Sequence, residues 1–303
     1  MFSMSRKLRE CRDADGRGLS LHRMARVARC VAVVCFALLV STAGFGQAGS
    51  SGKQVRIILV GDSTMAVQSG WGPGFCALVS TKVDCMNMAR SGRSSLSYRA
   101  EGSWAKVIDA LQHNGDYKAT YVLIQFGHND QPGKPGRSTD LATEFPANMK
   151  HFADDVLSTG AKPVLITPLE RRVFRQGKLS NGLGPWADAT RSVAAAEHIP
   201  LLDLNADSLQ AMQAMGLAEA DTLAMGPPPP EAVAGEATGT SVSLPKSHAP
   251  GAPELRPDGS DPNFNPVFDY THLGSIGSAY FGRMIAGELA AAVPELKPYL
   301  KSN

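Results

Sequence analysis

The chain has 303 residues, 43% hydrophobic and 19% charged, an ordinary globular composition with enough length for one sizeable core. Its formal net charge of +2 is unevenly placed, because residues 1–48 carry eight Lys/Arg and three Asp/Glu. Taking these from totals of 30 and 28 leaves 22 basic and 25 acidic residues, which argues against a nucleic-acid partner.

The first predicted element in chain order is a leader. Arg23, Arg26 and Arg29 precede "CVAVVCFALLVSTAGF", and "GQAGSSGK" follows, with Gly46 and Ala48 at the small positions a signal peptidase prefers. This predicts a signal peptide over 1–48, cleaved near Ala48, and a secreted or periplasmic protein with no membrane attachment after cleavage. Translation from Met24 instead of Met1 would give a signal of usual length. The alternative is a retained N-terminal anchor. No small-residue lipobox precedes Cys30 or Cys35. Cys11, Cys30 and Cys35 fall in the leader, so Cys76 and Cys85 remain. In an exported chain an even pair predicts a disulfide, against the alternative of two buried thiols. Their C-x8-C spacing without a neighbouring His is not a metal-site pattern, and no cofactor is expected.

Apolar runs then alternate with helical patterns. Strands are predicted at "VRIILV" (55–60), "VDCMNMA" (83–89), "TYVLIQFG" (120–127), "KPVLITPL" (162–169) and "IPLLDLN" (199–205). Helices are predicted at 71–82, 103–113, 143–160, 185–198 and 274–293. Continuous Val/Ile/Leu strands alternating with amphipathic helices mean an α/β domain with a parallel sheet covered on both faces. Functional groups in such sheets gather at the carboxyl ends of strands. The stretch from about 216 to 265, rich in Pro, Gly, Ala and Ser, is expected to be an irregular insertion within a single domain spanning 49–303. It ends just before "FDYTHL" and is either a flap beside the site or a passive surface loop.

The polar clusters lie at strand ends. "GDST" (61–64) offers the hydroxyl of Ser63, a poor nucleophile without a base. Of seven histidines, His22 belongs to the leader, His113, His151 and His198 to helices or their ends, and His248 to the insertion. His128 and His272 remain. Asp269 precedes His272 by three residues, a spacing that can bring a carboxylate to an imidazole, although alone it fits a helix cap and a surface His equally well. Asn129 in "GHND" (127–130), the backbone N–H of Gly92 in "SGRSS" (91–95) and that of Ser63 could converge on one oxyanion. Each cluster alone reads as a turn; their joint occurrence in this order is far harder to obtain by chance.

Together, "GDST", "SGRSS", "GHND" and "DYTHL" (269–273) resemble the four blocks of the SGNH, or GDSL-type, hydrolase superfamily, and more narrowly the rhamnogalacturonan acetylesterases of carbohydrate esterase family 12. The resemblance covers about 55–300, interrupted by the insertion. It implies a three-layer α/β/α, flavodoxin-like fold with five parallel strands in the order 2-1-3-4-5. It implies Ser63 as nucleophile, His272 as base and Asp269 as its orienter, with Ser63, Gly92 and Asn129 forming the oxyanion hole. His128 then either packs beneath the loop and orients Asn129, or touches substrate. Arg93 either clamps a substrate carboxylate or forms an internal ion pair, and Arg171 or Arg172 is a further candidate for a uronate. Asp62 is expected to bond the loop's backbone N–H groups.

The expected function is a monomeric esterase removing acetyl groups from a plant cell-wall polysaccharide, with pectic rhamnogalacturonan favoured. The alternatives are a lipase, thioesterase or arylesterase on the same scaffold, or a catalytically silent carbohydrate-binding protein. A metal hydrolase using His128, Asp130, Asp269 and His272 lacks clustered ligand spacing.

Overall fold

Five strands with period-two apolar faces build one sheet. The computed structural model of the chain describes residues 53–244, 256, 260 and 262–301. The predicted signal peptide and its cleavage point, with His22, and most of 245–261, with His248, lie outside the described residues. The sheet strands are β1 (Val55–Gly61), β2 (Val83–Asn87), β3 (Ala119–Gln125), β4 (Lys162–Ile166) and β7 (Leu201–Leu202). They run in the order β2-β1-β3-β4-β7, every neighbouring pair parallel. Counting these five alone, the order is the expected 2-1-3-4-5. A two-stranded antiparallel ribbon, β5 (Phe174–Arg175) with β6 (Lys178–Leu179), follows β4.

Alternate residues of each strand feed two cores, as the pleat requires. Ile57, Leu59, Leu123 and Val164 enter one core with Trp71, Phe75, Phe281 and Ile285. Ile58, Val60, Val122 and Leu165 enter the other with Trp104, Phe126 and Phe152. The second core is aromatic: Trp104 meets Phe152 edge-on at 4.7 Å, and Phe126 stacks on Phe152 at 5.3 Å between ring centroids. The helices that cover the sheet include α1 (Gly72–Cys76), α2 (Ser95–Ala100), α3 (Ser103–Leu111), α4 (Glu144–Ser158) and α5 (Gly184–Ala196). Next come α6 (Leu204–Met215), α7 (Leu217–Asp221), α8 (Pro230–Glu236) and α9 (Ser275–Ala292).

Several elements differ from expectation. The predicted helix over 71–82 is only the five-residue α1, and the strand predicted over 199–205 is two residues long. Leu204 already begins α6, so the polar end of "IPLLDLN" turns into a helix instead of extending the strand. The stretch from 216, expected to be irregular, holds α7 and α8, with Leu217, Ala220, Leu223 and Ala232 buried. Sparse apolar residues, set among Pro and Gly, suffice to pin short helices against an existing core.

Two contacts tie α1 to its neighbours. Helix α9 crosses α1 so closely that a Cβ on Gly282 would lie 2.5 Å from the Gly74 carbonyl carbon, and one on Gly74 would lie 2.0 Å from Ser278 O. Only glycine permits that approach. The cysteine pair forms the expected disulfide, Cys76–Cys85, tying the end of α1 to β2 with a Cα–Cα distance of 5.7 Å.

Candidate active site

The loop after β1 is organised by Asp62. Its Oδ1 accepts the Thr64 backbone N–H at 2.9 Å and the Thr64 hydroxyl at 2.8 Å, as the sequence predicts for Asp62. Beneath, Gln125 Nε2 donates to Thr64 Oγ1 at 2.6 Å and Trp71 Nε1 donates to Gln125 Oε1 at 2.9 Å. Ser69 Oγ donates to Ser63 O at 2.7 Å. This buried polar net leaves Ser63 at the loop's surface, 8% exposed. Gln125 and Trp71 were not singled out from sequence. An amide inside the otherwise apolar run "YVLIQFG" was the available signal, since a buried amide must find partners.

His272 and Asp269 reach Ser63 from the turn before α9. Ser63 Oγ and His272 Nε2 are 2.8 Å apart, and His272 Nδ1 lies 2.6 Å from Asp269 Oδ2. The other carboxylate oxygen of Asp269 accepts the backbone N–H of Thr271 and of His272, each at 2.7 Å. Burial alone would raise the Asp269 carboxyl, but the hydrogen bond and charge of His272, with the two backbone donors, outweigh it and hold the group well below the usual carboxylate range. The structure thus brings Ser63, His272 and Asp269 into one hydrogen-bonded chain.

Gly92 and Asn129 come from the loops after β2 and β3. Gly92 adopts φ +78°, in the left-handed region, which turns the chain sharply at that strand end. The N–H groups of Ser63 and Gly92 have no hydrogen-bond partner among the described residues. Asn129 Nδ2 donates one hydrogen to Arg93 O at 3.0 Å and keeps a second. The rest of "SGRSS" is scaffolding. Ser94 caps α2 in a reciprocal pair with Ser97, and Ser95 Oγ donates to Asp130 Oδ1 at 2.5 Å. Burial pushes the Asp130 carboxyl up to about 6 despite these donors. Asp130 therefore joins the Gly92 loop to the Asn129 loop.

Among the candidate substrate contacts, His128 and Arg93 take the inward of their two expected alternatives. His128 is 3% exposed and its Nδ1 lies 3.4 Å from Asp62 Oδ2, beneath the loop. Burial lowers its pKa, with the Asp62 charge only partly opposing, so it is a neutral packing residue. Arg93 takes the internal alternative: Nε pairs with Glu101 at 2.7 Å and Nη1 donates to Ser91 O at 2.8 Å. Arg172 is 0% exposed and cannot meet a polymer. Its Nη2 donates to Asp269 O at 2.7 Å and to His272 O at 2.8 Å. Half-buried cations stand beside the site instead. Arg137 Nη1 donates to Gly92 O at 3.1 Å, Lys134 Nζ donates to His128 O, and Arg171 Nη2 donates to Gln131 Oε1 at 2.8 Å. Burial and the nearby Arg171 charge bring the Lys134 ammonium down to about 8.

The model of the GDSL-like lipase/acylhydrolase family matches residues 59–227, which hold Ser63, Gly92 and Asn129. The rhamnogalacturonan acetylesterase RhgT of Bacillus subtilis is 35% identical over 179 residues, 56% of this chain and 74% of that protein. The rhamnogalacturonan acetylesterase of Emericella nidulans is 38% identical over 113 residues, 37% of this chain and 42% of that protein. Among solved structures, protein YXIM of Bacillus subtilis superposes with a TM-score of 0.55 at 22% identity, covering 79% of this chain and 57% of that one. This last likeness is one of fold: a five-stranded parallel α/β sheet between helical layers. The chain belongs to the GDSL-like lipase/acylhydrolase family.

Proposed function

We propose that this chain is an exported serine esterase that removes acetyl groups from an acetylated polysaccharide, with an acidic pectic backbone as its substrate. The observation that carries this reading is the continuous chain from Ser63 Oγ through His272 to Asp269, with contacts of 2.8 and 2.6 Å. In the first step His272 Nε2 accepts the Ser63 proton while Oγ bonds to the acetyl carbonyl carbon. The carbonyl oxygen becomes an oxyanion facing the N–H groups of Ser63 and Gly92 and the second hydrogen of Asn129 Nδ2. Collapse breaks the bond to the sugar oxygen, which takes the proton from His272. Water then attacks the acetyl-serine by the same route, releasing acetate and restoring Ser63. Asp269, held ionised, fixes the imidazole's tautomer and stabilises its protonated form.

The acetyl preference rests on the site's lining. Ser91, Gly92, Arg93 and Asn129 offer no long apolar stripe, and each buried methylene of a longer acyl chain would need about 0.8 kcal/mol of apolar contact. The acidic polymer is supported by Lys134, Arg137 and Arg171, side chains that form no ion pair among the described residues, and by the rhamnogalacturonan acetylesterases among the relatives. The test is acetate release from acetylated pectin, xylan and glucomannan by the wild type and by Ser63→Ala. Release from pectin above the neutral polymers, lost in Ser63→Ala, is expected. Faster cleavage of octanoyl than acetyl esters would make the protein a lipase-type enzyme, and no turnover of any ester would make it a binding protein.

A further inference from the structure

The backbone of the turn that carries Asp269 and His272 is held largely by two residues. Its N–H groups at Thr271 and His272 go to the carboxylate of Asp269. Its carbonyls go to a single residue of the loop after β4: Asp269 O and His272 O accept from the Arg172 guanidinium, and Tyr270 O accepts from the Arg172 backbone N–H at 2.8 Å. Three of the four carbonyls from 269 to 272 thus depend on one arginine that water does not reach.

That arginine is costly to bury, and its environment answers the cost from an unexpected quarter. Nε and Nη1 of Arg172 have no hydrogen-bond partner among the described residues, and neither does either carboxylate oxygen of Asp221, which is 1% exposed at the end of α7. The two opposite charges act on each other, and Asp221 is the charge besides Asp269 that favours the guanidinium. Burial outweighs the opposing Arg172 charge and, with the nearby Glu236 charge, brings the Asp221 carboxyl up to about 7. The segment that supplies Asp221 also touches the turn directly. Gly274 N donates to Leu223 O at 3.0 Å, and Ala224 bridges Leu273 in antiparallel fashion.

We propose that Arg172 is a positioning residue for ester cleavage, spacing Asp269 against His272 by holding both of their carbonyls, and that Asp221 at the entrance to the Pro/Gly-rich segment is its counter-charge. This rests on the Ser63–His272–Asp269 reading. Neither residue touches substrate; both act through the turn. The planar guanidinium suits the task because the two hydrogens of Nη2, fixed in the plane of the group, meet both carbonyls at a set angle. A lysine ammonium reaches the same region as a point charge but cannot hold that spacing.

The test compares Arg172→Lys, Arg172→Met and Asp221→Asn with the wild type on a soluble acetyl ester, using the full chain and scoring only folded protein by near-ultraviolet circular dichroism. A misplaced catalytic pair costs on the order of 10²-fold, so Arg172→Met is expected to lose about a hundredfold in kcat with KM within about threefold. Arg172→Lys should recover part of that loss, and Asp221→Asn should fall several-fold in the same direction. The downfield proton resonance of the imidazole N–H facing Asp269 should shift or broaden in each variant. Wild-type kcat and an unmoved resonance in folded Arg172→Lys and Arg172→Met would overturn the inference. A wild-type kcat in Asp221→Asn alone would overturn the counter-charge assignment. Failure of the underlying triad would look different: Ser63→Ala would keep its turnover, whatever Arg172 does.

Discussion

The two halves of the Ser63–His272–Asp269 chain are held by different means. Ser63 stands just past the end of β1, an interior strand of the sheet, and its loop is fixed by a buried polar net: Asp62 to Thr64, Thr64 to Gln125, Gln125 to Trp71. Asp269 and His272 stand on no strand. They are hung between the Arg172 guanidinium and a helix, α9, which packs on α1 through two glycines. Ser63 is therefore built into the end of the sheet, while His272 is delivered to it from some 200 positions away in sequence. Damage to the sheet half should show in chemistry at once. Damage to the other half should show as lost alignment.

The largest expected effect breaks the comparison at its shared contact. Ser63→Ala removes the attacking atom and should lower kcat by more than about 10³-fold, since the remaining donors act only on an oxyanion that no longer forms by this route. Its melting temperature should match the wild type, because Ser63 Oγ holds no part of the core. Turnover within a few-fold of wild type would reject Ser63 as nucleophile.

Next is Asn129→Ala, on the sheet half. It removes one oxyanion donor and should cost about 10²–10³ in kcat with little change in KM. The Nδ2 bond to Arg93 O is lost as well, so the thermal midpoint should be recorded beside the rates. A change confined to KM would place Asn129 in substrate binding instead.

The comparison also explains what could be read from the amino-acid sequence. Strands β1, β3 and β4 are apolar runs that end in Gly-Asp, Gly-His and Thr-Pro, so the parallel sheet and the positions of Ser63 and Asn129 are legible, and Gly92 is legible from the polar cluster after β2. The Asp269–His272 pair was legible only through its resemblance to a known block, because Asp-x-x-His fits a helix cap equally well. Arg172 was misread. In "ERRVF" two adjacent arginines look alike, and residue type favours the surface for both. Only the fold shows that the Arg172 guanidinium points inward to two carbonyls while its neighbour Arg171 stays half-buried. The helices α7 and α8 were hidden for a related reason. Their sequences, "LAEAD" and "PEAVAGE", bury few side chains and sit within a Pro/Gly-rich stretch, so local pattern pointed to loop while long-range packing made helix.

A third prediction sharpens the contrast through stability. The Cys76–Cys85 bridge closes a short loop between α1, the seat of α9, and β2. By chain-entropy arguments a loop of this length contributes about 2–3 kcal/mol. The double substitution Cys76→Ser with Cys85→Ser should lower unfolding free energy by about that amount in chemical denaturation, while kcat at 25 °C stays within a few-fold. A large loss of kcat in fully folded protein would mean that α1 steers His272 far more directly than the glycine contact alone requires.

The smallest effect concerns which side chains meet the polymer. Arg93 is engaged by Glu101 and Ser91 O, so Arg93→Ala disturbs the Gly92 loop and should lower turnover of a neutral acetyl ester and of acetylated pectin alike. Arg171 differs. Its guanidinium holds a neutral amide, Gln131, and stands near Asp62 and Asp269, at the mouth of the site. A uronate carboxylate there would make a charge-assisted hydrogen bond worth about 1.5–3 kcal/mol, so Arg171→Gln should lower kcat/KM on acetylated pectin by roughly tenfold or more. The same variant should leave a neutral acetyl ester within about twofold, and raising the salt concentration should shrink the difference between the two substrates. Equal losses on both would move Arg171 from polymer recognition to the electrostatics of Asp269. An unchanged rate on both would leave Lys134 and Arg137 as the cations that face the acidic backbone.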